Sequence, residues 1–275
     1  VIEDKRLEYM LSFTSERGRL AYRATQQPYD LMGTLGSAPD LAMAVLHNKG
    51  IILASLMEDQ LMARGSKDPA IKELYDQLCS AQQVLHNAQQ AALRGINIPD
   101  EQLKHDREKV ENLQRRLARN INDERKRIGK ARRALLITPE GVQKRLLKDE
   151  ALLEFIRYSH YLEKDHWQER YGVVILAGKG EPQWVSLGAA EEIESLVNGC
   201  LEHMHPGAGR AEDESLEPIL REFYSKLMQP VVEKLPTGAK SLIFSPEDGL
   251  NFVSFAMLLT DKDHFLCEDY AVKYV

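Results

Sequence analysis

The stretch Lys240-Ser-Leu-Ile-Phe-Ser-Pro-Glu-Asp-Gly-Leu-Asn-Phe-Val-Ser-Phe-Ala-Met-Leu-Leu259 decides the architecture of the C-terminal half. Residues 241–245 form a short apolar run stopped by Pro246, which reads as a buried strand. Turn chemistry follows, because proline ends the strand and the pair Asp248-Gly249 tolerates positive φ. Phe252, Phe255, Leu258 and Leu259 are spaced to anchor the next segment on a sheet. Loops that follow sheet strands are where α/β folds build sites, so Glu247 and Asp248 are candidates for an active-site rim. As turn residues they also need no function at all.

Working outward, three β-rich runs precede this stretch at 151–161 (ALLEFIRYSHY), 171–177 (YGVVILA) and 183–187 (QWVSL), separated by polar or Gly/Pro turns. Helical patterns follow at 189–203 and 216–235. Thr138-Pro139-Glu140 is an N-cap, a first-turn proline and an acidic first turn for a short helix through Leu147. Downstream, residues 271–275 alternate like a strand. Strands, then helices, then strands predict an α/β domain over 137–275.

The first half is helical in pattern. Ser37 and Pro39 predict the start of a helix running to Arg64, where Gly65 closes it. Asp68 and Pro69 repeat the start for a second helix ending at Gly95, and the two make an antiparallel hairpin. A third helix begins near Pro99, with Leu103, Val110, Leu113, Leu117, Ile121 and Ile128 at bundle or coiled-coil spacing. These segments span 37–136. Residues 7–24 read as one helix of an earlier pair, with Tyr9, Phe13, Ala21, Tyr22 and Ala24 suited to a helical repeat, so 1–36 is expected to end a repeat array. The helix-like start at Val1 and the strand-like finish at Val275 are expected to be parts of a longer polypeptide.

Charge and composition narrow the function classes. A net charge of −6 argues against a protein that coats nucleic acid along its whole surface. The strongest local exception is the run Arg115, Arg116, Arg119, Arg125, Lys126, Arg127, Lys130, Arg132 and Arg133, which would meet nucleic-acid phosphates or an acidic partner, or else form a solvated helix face beside Asp123 and Glu124. No apolar run reaches a membrane-spanning length and the N-terminus is too charged for a signal peptide, so no membrane is expected and a cytoplasmic location is. Cys79, Cys200 and Cys267 lack metal or redox spacing and are expected to be buried thiols. His203 and His205 lack supporting ligands, so no metal is expected there, and His160 and His166, which flank a polar turn, are expected at the surface. No phosphate loop, Ser/His/Asp set or paired-carboxylate motif is present, and no cofactor is expected.

The 240–259 segment resembles the signature of the CHAT domain, a bacterial relative of the caspase and separase peptidases. Pro246, Asp248, Gly249, Leu250, Phe255 and Leu258 match that signature; Glu247 extends the turn by one residue and Ser254 stands where proline is usual. Residues 265–274 resemble the element that follows, 138–158 the entry into the domain, and 46–93 the helical hairpin before it. The resemblance implies an incomplete caspase-like α/β sheet domain preceded by TPR-like helices. It also implies a His/Cys dyad in which imidazole activates a thiol against a peptide carbonyl. Both dyad residues are implied on strands after the one at 271–275, so no catalytic residue is assigned in this chain. His264 and Cys267 fall in the acidic element before the dyad, and a packing role is expected for Cys267.

Two functions stay open from the sequence. One, implied by the resemblance, is a cysteine endopeptidase activated by a protein partner of the helical front and acting on a protein substrate, in bacterial defence such as an RNA-guided CRISPR effector. The other is a non-catalytic CHAT scaffold or regulatory module.

Overall fold

The computed structural model describes residues 10–11, 13–94, 96–125, 137–204 and 215–275. They divide into two compact units: the described residues of Val1–Gln26 and Lys49–Leu136, and Gln27–Asn48 with Ile137–Val275. The chain crosses between units within its helical half, because the segment 27–48 joins the core of the C-terminal sheet.

The first unit is all helical, with α1 (Glu16–Ala24), α4 (Ile51–Gly65), α5 (Pro69–Leu93) and α6 (Asp100–Arg125). Its core is the expected stripe, in which Leu74, Leu78 and Ala81 of α5 meet Val110, Leu113, Leu117 and Ile121 of α6. Asp68 caps α5 by accepting from the Ala70 N–H at 2.8 Å, with Pro69 in the first turn. Arg19 of α1 is buried, its guanidinium donating to Asp59 Oδ2 at 2.6 Å and Ser55 Oγ at 2.8 Å. The single helix expected over 7–24 is interrupted, since Thr14 and Ser15 are not helical. Tyr9 and Ile128 lie outside the described residues.

The single helix expected from Ser37 to Arg64 is two. Helix α3 (Ala38–Asn48) and α4 are separated at Gly50, whose φ of +76° only glycine adopts without strain. Apolar spacing continues through the break, which is why periodicity alone reads one helix.

The second unit is a sheet covered by helices on both faces. Its strands are β1 (Glu150–Glu163), β2 (His166–Ala177), β3 (Gln183–Ala189), β4 (Ser241–Ser245) and β5 (Ala271–Tyr274), in the order β3-β2-β1-β4-β5. Strands β1, β2 and β3 form an antiparallel meander, whereas β1, β4 and β5 run parallel. This is the mixed α/β sheet expected from the element order, and the described residues of the other unit are all helical.

Alternation along β1 assigns its two faces. Ala151, Leu153 and Phe155 enter a core with Phe244 and Phe255 and with Ile193, Phe223 and Leu227 from α8 (Ala190–Met204), α9 (Glu217–Phe223) and the π-turn Tyr224–Met228 that leads into α10 (Gln229–Val232). Leu152, Ile156 and Tyr158 enter the opposite core, against Tyr29, Leu41 and Val45 from the segment holding α2 (Asp30–Leu35) and α3, and against Val142 of α7 (Pro139–Gln143). Thr138 caps α7 through the Gly141 N–H at 3.1 Å, but α7 stops at Gln143 rather than Leu147. Between β4 and β5 lie two 3-10 turns, Asp248–Phe252 and Phe255–Met257, and α11 (Leu266–Asp269). Among the described residues no helix is long and apolar enough to cross a membrane.

Candidate functional site

Parallel strands bring their carboxyl ends to one edge of a sheet, and loops leaving that edge are the usual site positions in α/β folds. Here β4 ends at Ser245 opposite Glu154, while β1 continues alone on that side to Glu163. The turn 246–252 fills the place that β4 vacates. Asp248, not Gly249, is the residue that takes positive φ, at +50°, and an added Cβ at Gly249 would make only ordinary contact, 3.8 Å from the Tyr171 hydroxyl. Leu250 and Phe255 are fully buried and pin the turn to the sheet. Phe252, expected to anchor beside them, is 64% exposed, because the 3-10 turn rotates it outward.

Arg157 is the centre of what assembles there. Its backbone N–H donates to Glu247 Oε2 at 3.1 Å, and its guanidinium reaches Glu169 Oε2 at 2.9 Å, Glu194 Oε1 at 3.0 Å and Asp248 Oδ2 at 4.0 Å. Ser159 donates its hydroxyl to the other oxygen of Glu169. The Tyr171 hydroxyl donates to Glu194 at 3.4 Å, and burial, followed by the charges of Glu194 and Asp248, holds this phenol protonated far above the ordinary value. One cation thus ties together carboxylates from β2, α8 and the turn after β4. Beside it opens a depression of about 750 Å³ lined by Arg157, Trp167, Glu169, Glu191, Glu194 and Glu202.

Charge and hydrogen bonds hold these groups in fixed orientations, and a phenol held protonated is a donor only. Among the described residues no group of three or more His, Cys, Asp or Glu side chains is arranged to hold a metal ion.

The other sequence candidates are dispersed. Arg115, Arg116 and Arg119 are exposed on α6, and Arg116 lines a groove of about 1150 Å³ between α5 and α6. The side chain of Arg125, and Arg127 with the rest of the basic run, lie outside the described residues. Cys200 is buried as expected, but Cys79 and Cys267 are exposed, so packing does not account for Cys267. His264 faces Asp269 at 3.9 Å instead. His166 is at the surface; His160 lies in β1, within the expected β-rich run, but is half-buried rather than at the surface, with burial and then Arg170 lowering its pKa. His203 bonds the Gly199 carbonyl at 2.7 Å within α8, and His205 lies outside the described residues.

Sequence reasoning missed Arg157, Glu169 and Glu194. A signal for Arg157 was present: it is a lone cation after the apolar run Ala151-Leu-Leu-Glu-Phe-Ile156, and a charge in a strand so buried needs partners. Nothing local identifies those partners.

Residues 217–275, holding β4, the turn, β5 and the helices from α9 onward, match the family model described as CHAT domain. No curated protein and no solved structure matches the chain significantly.

Proposed function

We propose that this chain, a CHAT-domain protein by that match and therefore a relative of caspase-like peptidases, is the front part of a cysteine endopeptidase. The observation that carries the reading is the site-type edge itself. Within the segment that the family model covers, β4 ends in a turn whose carboxylates are fixed by Arg157 of the parallel neighbour β1, which itself lies before that segment. On this reading Arg157 and its carboxylates shape the floor beside which the dyad strands assemble after β5. The dyad supplies the chemistry: imidazole takes the thiol proton, the thiolate attacks the peptide carbonyl, and the leaving amine takes the proton back.

The helical unit, by the same reading, recognises a protein partner whose binding activates the peptidase. Its own core of α4, α5 and α6 supports independent presentation of a surface. The exposed Arg115, Arg116 and Arg119 make an acidic protein or a nucleic-acid backbone the fitting contact on α6. A TPR-like ancestry and a role in RNA-guided bacterial defence, in the cytoplasm, are the context that the resemblance supplies.

The test is to read the coding sequence downstream of Val275 and assay the encoded polypeptide. An alternating strand ending in His-Gly, another ending in Ser-x-Cys, and protein cleavage abolished by thiol alkylation are expected. Absence of that pair, or cleavage that survives alkylation, overturns the reading.

A further inference from the structure

The β1–β2 ribbon carries a second polar set on the face opposite to Arg157. Alternation puts Tyr158 and His160 of β1 on that face, and the register pairs them with Arg170 and Gln168 of β2. Arg157 and Glu169, which bind each other, belong to the other face.

The hydrogen bonds already made turn this second set into donors. Arg170 Nε donates to Gln168 Oε1 at 2.7 Å, which holds the guanidinium beside Gln168 and leaves the Gln168 amide nitrogen with both its hydrogens to give. His160 stands directly across the ladder from Gln168, its ring edge-on to Tyr158 with centroids 5.9 Å apart. Its Nδ1 is buried and bonds no described residue, and burial, then the charge of Arg170, favours the neutral ring. A buried N–H without an acceptor costs more than a bare lone pair, so the neutral ring keeps its hydrogen on Nε2. The Tyr158 hydroxyl is occupied by Ser186 Oγ of β3 at 3.2 Å.

The nearby acids are engaged elsewhere. Asp30, on the helix α2 that packs against this face, accepts the Ser159 N–H at 3.0 Å. Glu163 at the ribbon tip pairs with His166 at 3.1 Å, and β3 presents the uncharged Trp184 and Ser186. Arg170 is thus a half-buried cation with no carboxylate partner among the described residues, held beside two further donors. A charge so placed is stabilised by an anion.

We propose that Arg170, Gln168 and His160 form a binding site for a small oxyanion of the phosphate or carboxylate class. The free Nη1 and Nη2 of Arg170 take two oxygens in fork geometry, and the Gln168 amide and His160 Nε2 donate to the anion from the side. Bound negative charge favours the imidazolium, so occupancy raises the pKa of His160. The site lies on the face away from the carboxylates of Arg157 and stands apart from the peptidase reading.

NMR titration of the full chain at constant ionic strength tests it, with sodium phosphate and sodium acetate each exchanged for sodium chloride. Phosphate is expected to shift the His160 ring and Arg170 side-chain resonances saturably, with a Kd on the order of 1 mM, and to raise the pH midpoint of His160. R170M is expected to weaken binding about tenfold or more and R170K less, because lysine keeps the charge without the fork. Acetate matching phosphate assigns the site to carboxylates as well, and acetate behaving like chloride assigns it to phosphate. Neither anion exceeding chloride, shifts confined to the arginines of α6, an affinity unchanged in R170M, or an unmoved His160 midpoint overturns the proposal. Amide shifts of Val174 in the ladder check that R170M is folded, and R170Q replaces it if they move.

Discussion

The backbone N–H of Arg157 donates to the Glu247 carboxylate at 3.1 Å, so the turn after β4 is fastened to the strand that outruns it. The same residue's guanidinium faces Glu169, Glu194 and Asp248, and one side chain therefore offsets the mutual repulsion of three carboxylates.

Removing that cation leaves three like charges around a half-exposed site. R157A is expected to cost about 1 kcal/mol, since solvent screens each pair. The cost shrinks at high salt as screening relieves the repulsion. Urea midpoints at low and high ionic strength check this, with R157K expected to lie between wild type and R157A because lysine lacks the guanidinium fork. A loss independent of salt points to packing instead.

Gly172 lies beneath the Trp184 ring, where an added Cβ would fall 2.0 Å from Cη2. G172A is therefore expected to destabilise by about 1–3 kcal/mol through overpacking. Combining it with W184L is expected to recover part of that loss, because the pair shares one volume. A double-mutant cycle by chemical denaturation measures the coupling, and strict additivity contradicts the packing account.

Lys273 of β5 donates to Glu150 Oε1 at 2.5 Å, and the Leu147 N–H donates to the other oxygen at 2.9 Å. The lysine hydrogen bond, then the backbone one, hold the Glu150 carboxyl below its ordinary value of 4.5. A depressed folded pKa contributes stability above the ordinary value and loses it as pH falls through the folded one. E150Q is thus expected to be less stable than wild type at neutral pH, with the two stability curves converging at pH values below 4.5. Parallel curves across that window refute the assignment.

Arg19 in the helical unit is 2% exposed and holds Asp59 at 2.6 Å. Removing the guanidinium takes from a largely buried carboxylate the cation that it holds at 2.6 Å, so R19M is expected to cost about 3 kcal/mol. Thermal unfolding is the measurement, and R19M/D59L is expected to regain much of the loss. A small effect in R19M alone shows that water reaches the vacated site.

The two halves of the fold were unequally legible in the sequence. β1, β2, β3 and β4 were visible because β-branched and aromatic runs ended in Gly, Pro or charged turns, and α5 and α6 because Asp68-Pro69 and Pro99 mark their starts. What escaped was tertiary. Gly50 breaks a helix within a continuous apolar stripe, and no local pattern shows that 27–48 joins the core of a sheet whose strands begin at Glu150. At the site, Glu247 and Asp248 could be located from their turn, whereas Glu169 and Glu194 look like ordinary surface acids until the fold brings them to Arg157. Exposure of Phe252 and burial of Phe255 likewise follow from the rotation of one 3-10 turn.

The placement of 27–48 has a consequence for synthesis on the ribosome. Asp30 waits for Ser159, a partner 129 residues later, and at about 5–20 residues per second that delay is on the order of ten seconds. During it Leu41 and Val45, fully buried in the finished protein, have no sheet to cover them. The helices from α4 to α6 are made in that interval and can gather their own core first. The nascent chain therefore carries an early apolar helix outside the first core to form, a natural point for a chaperone to hold.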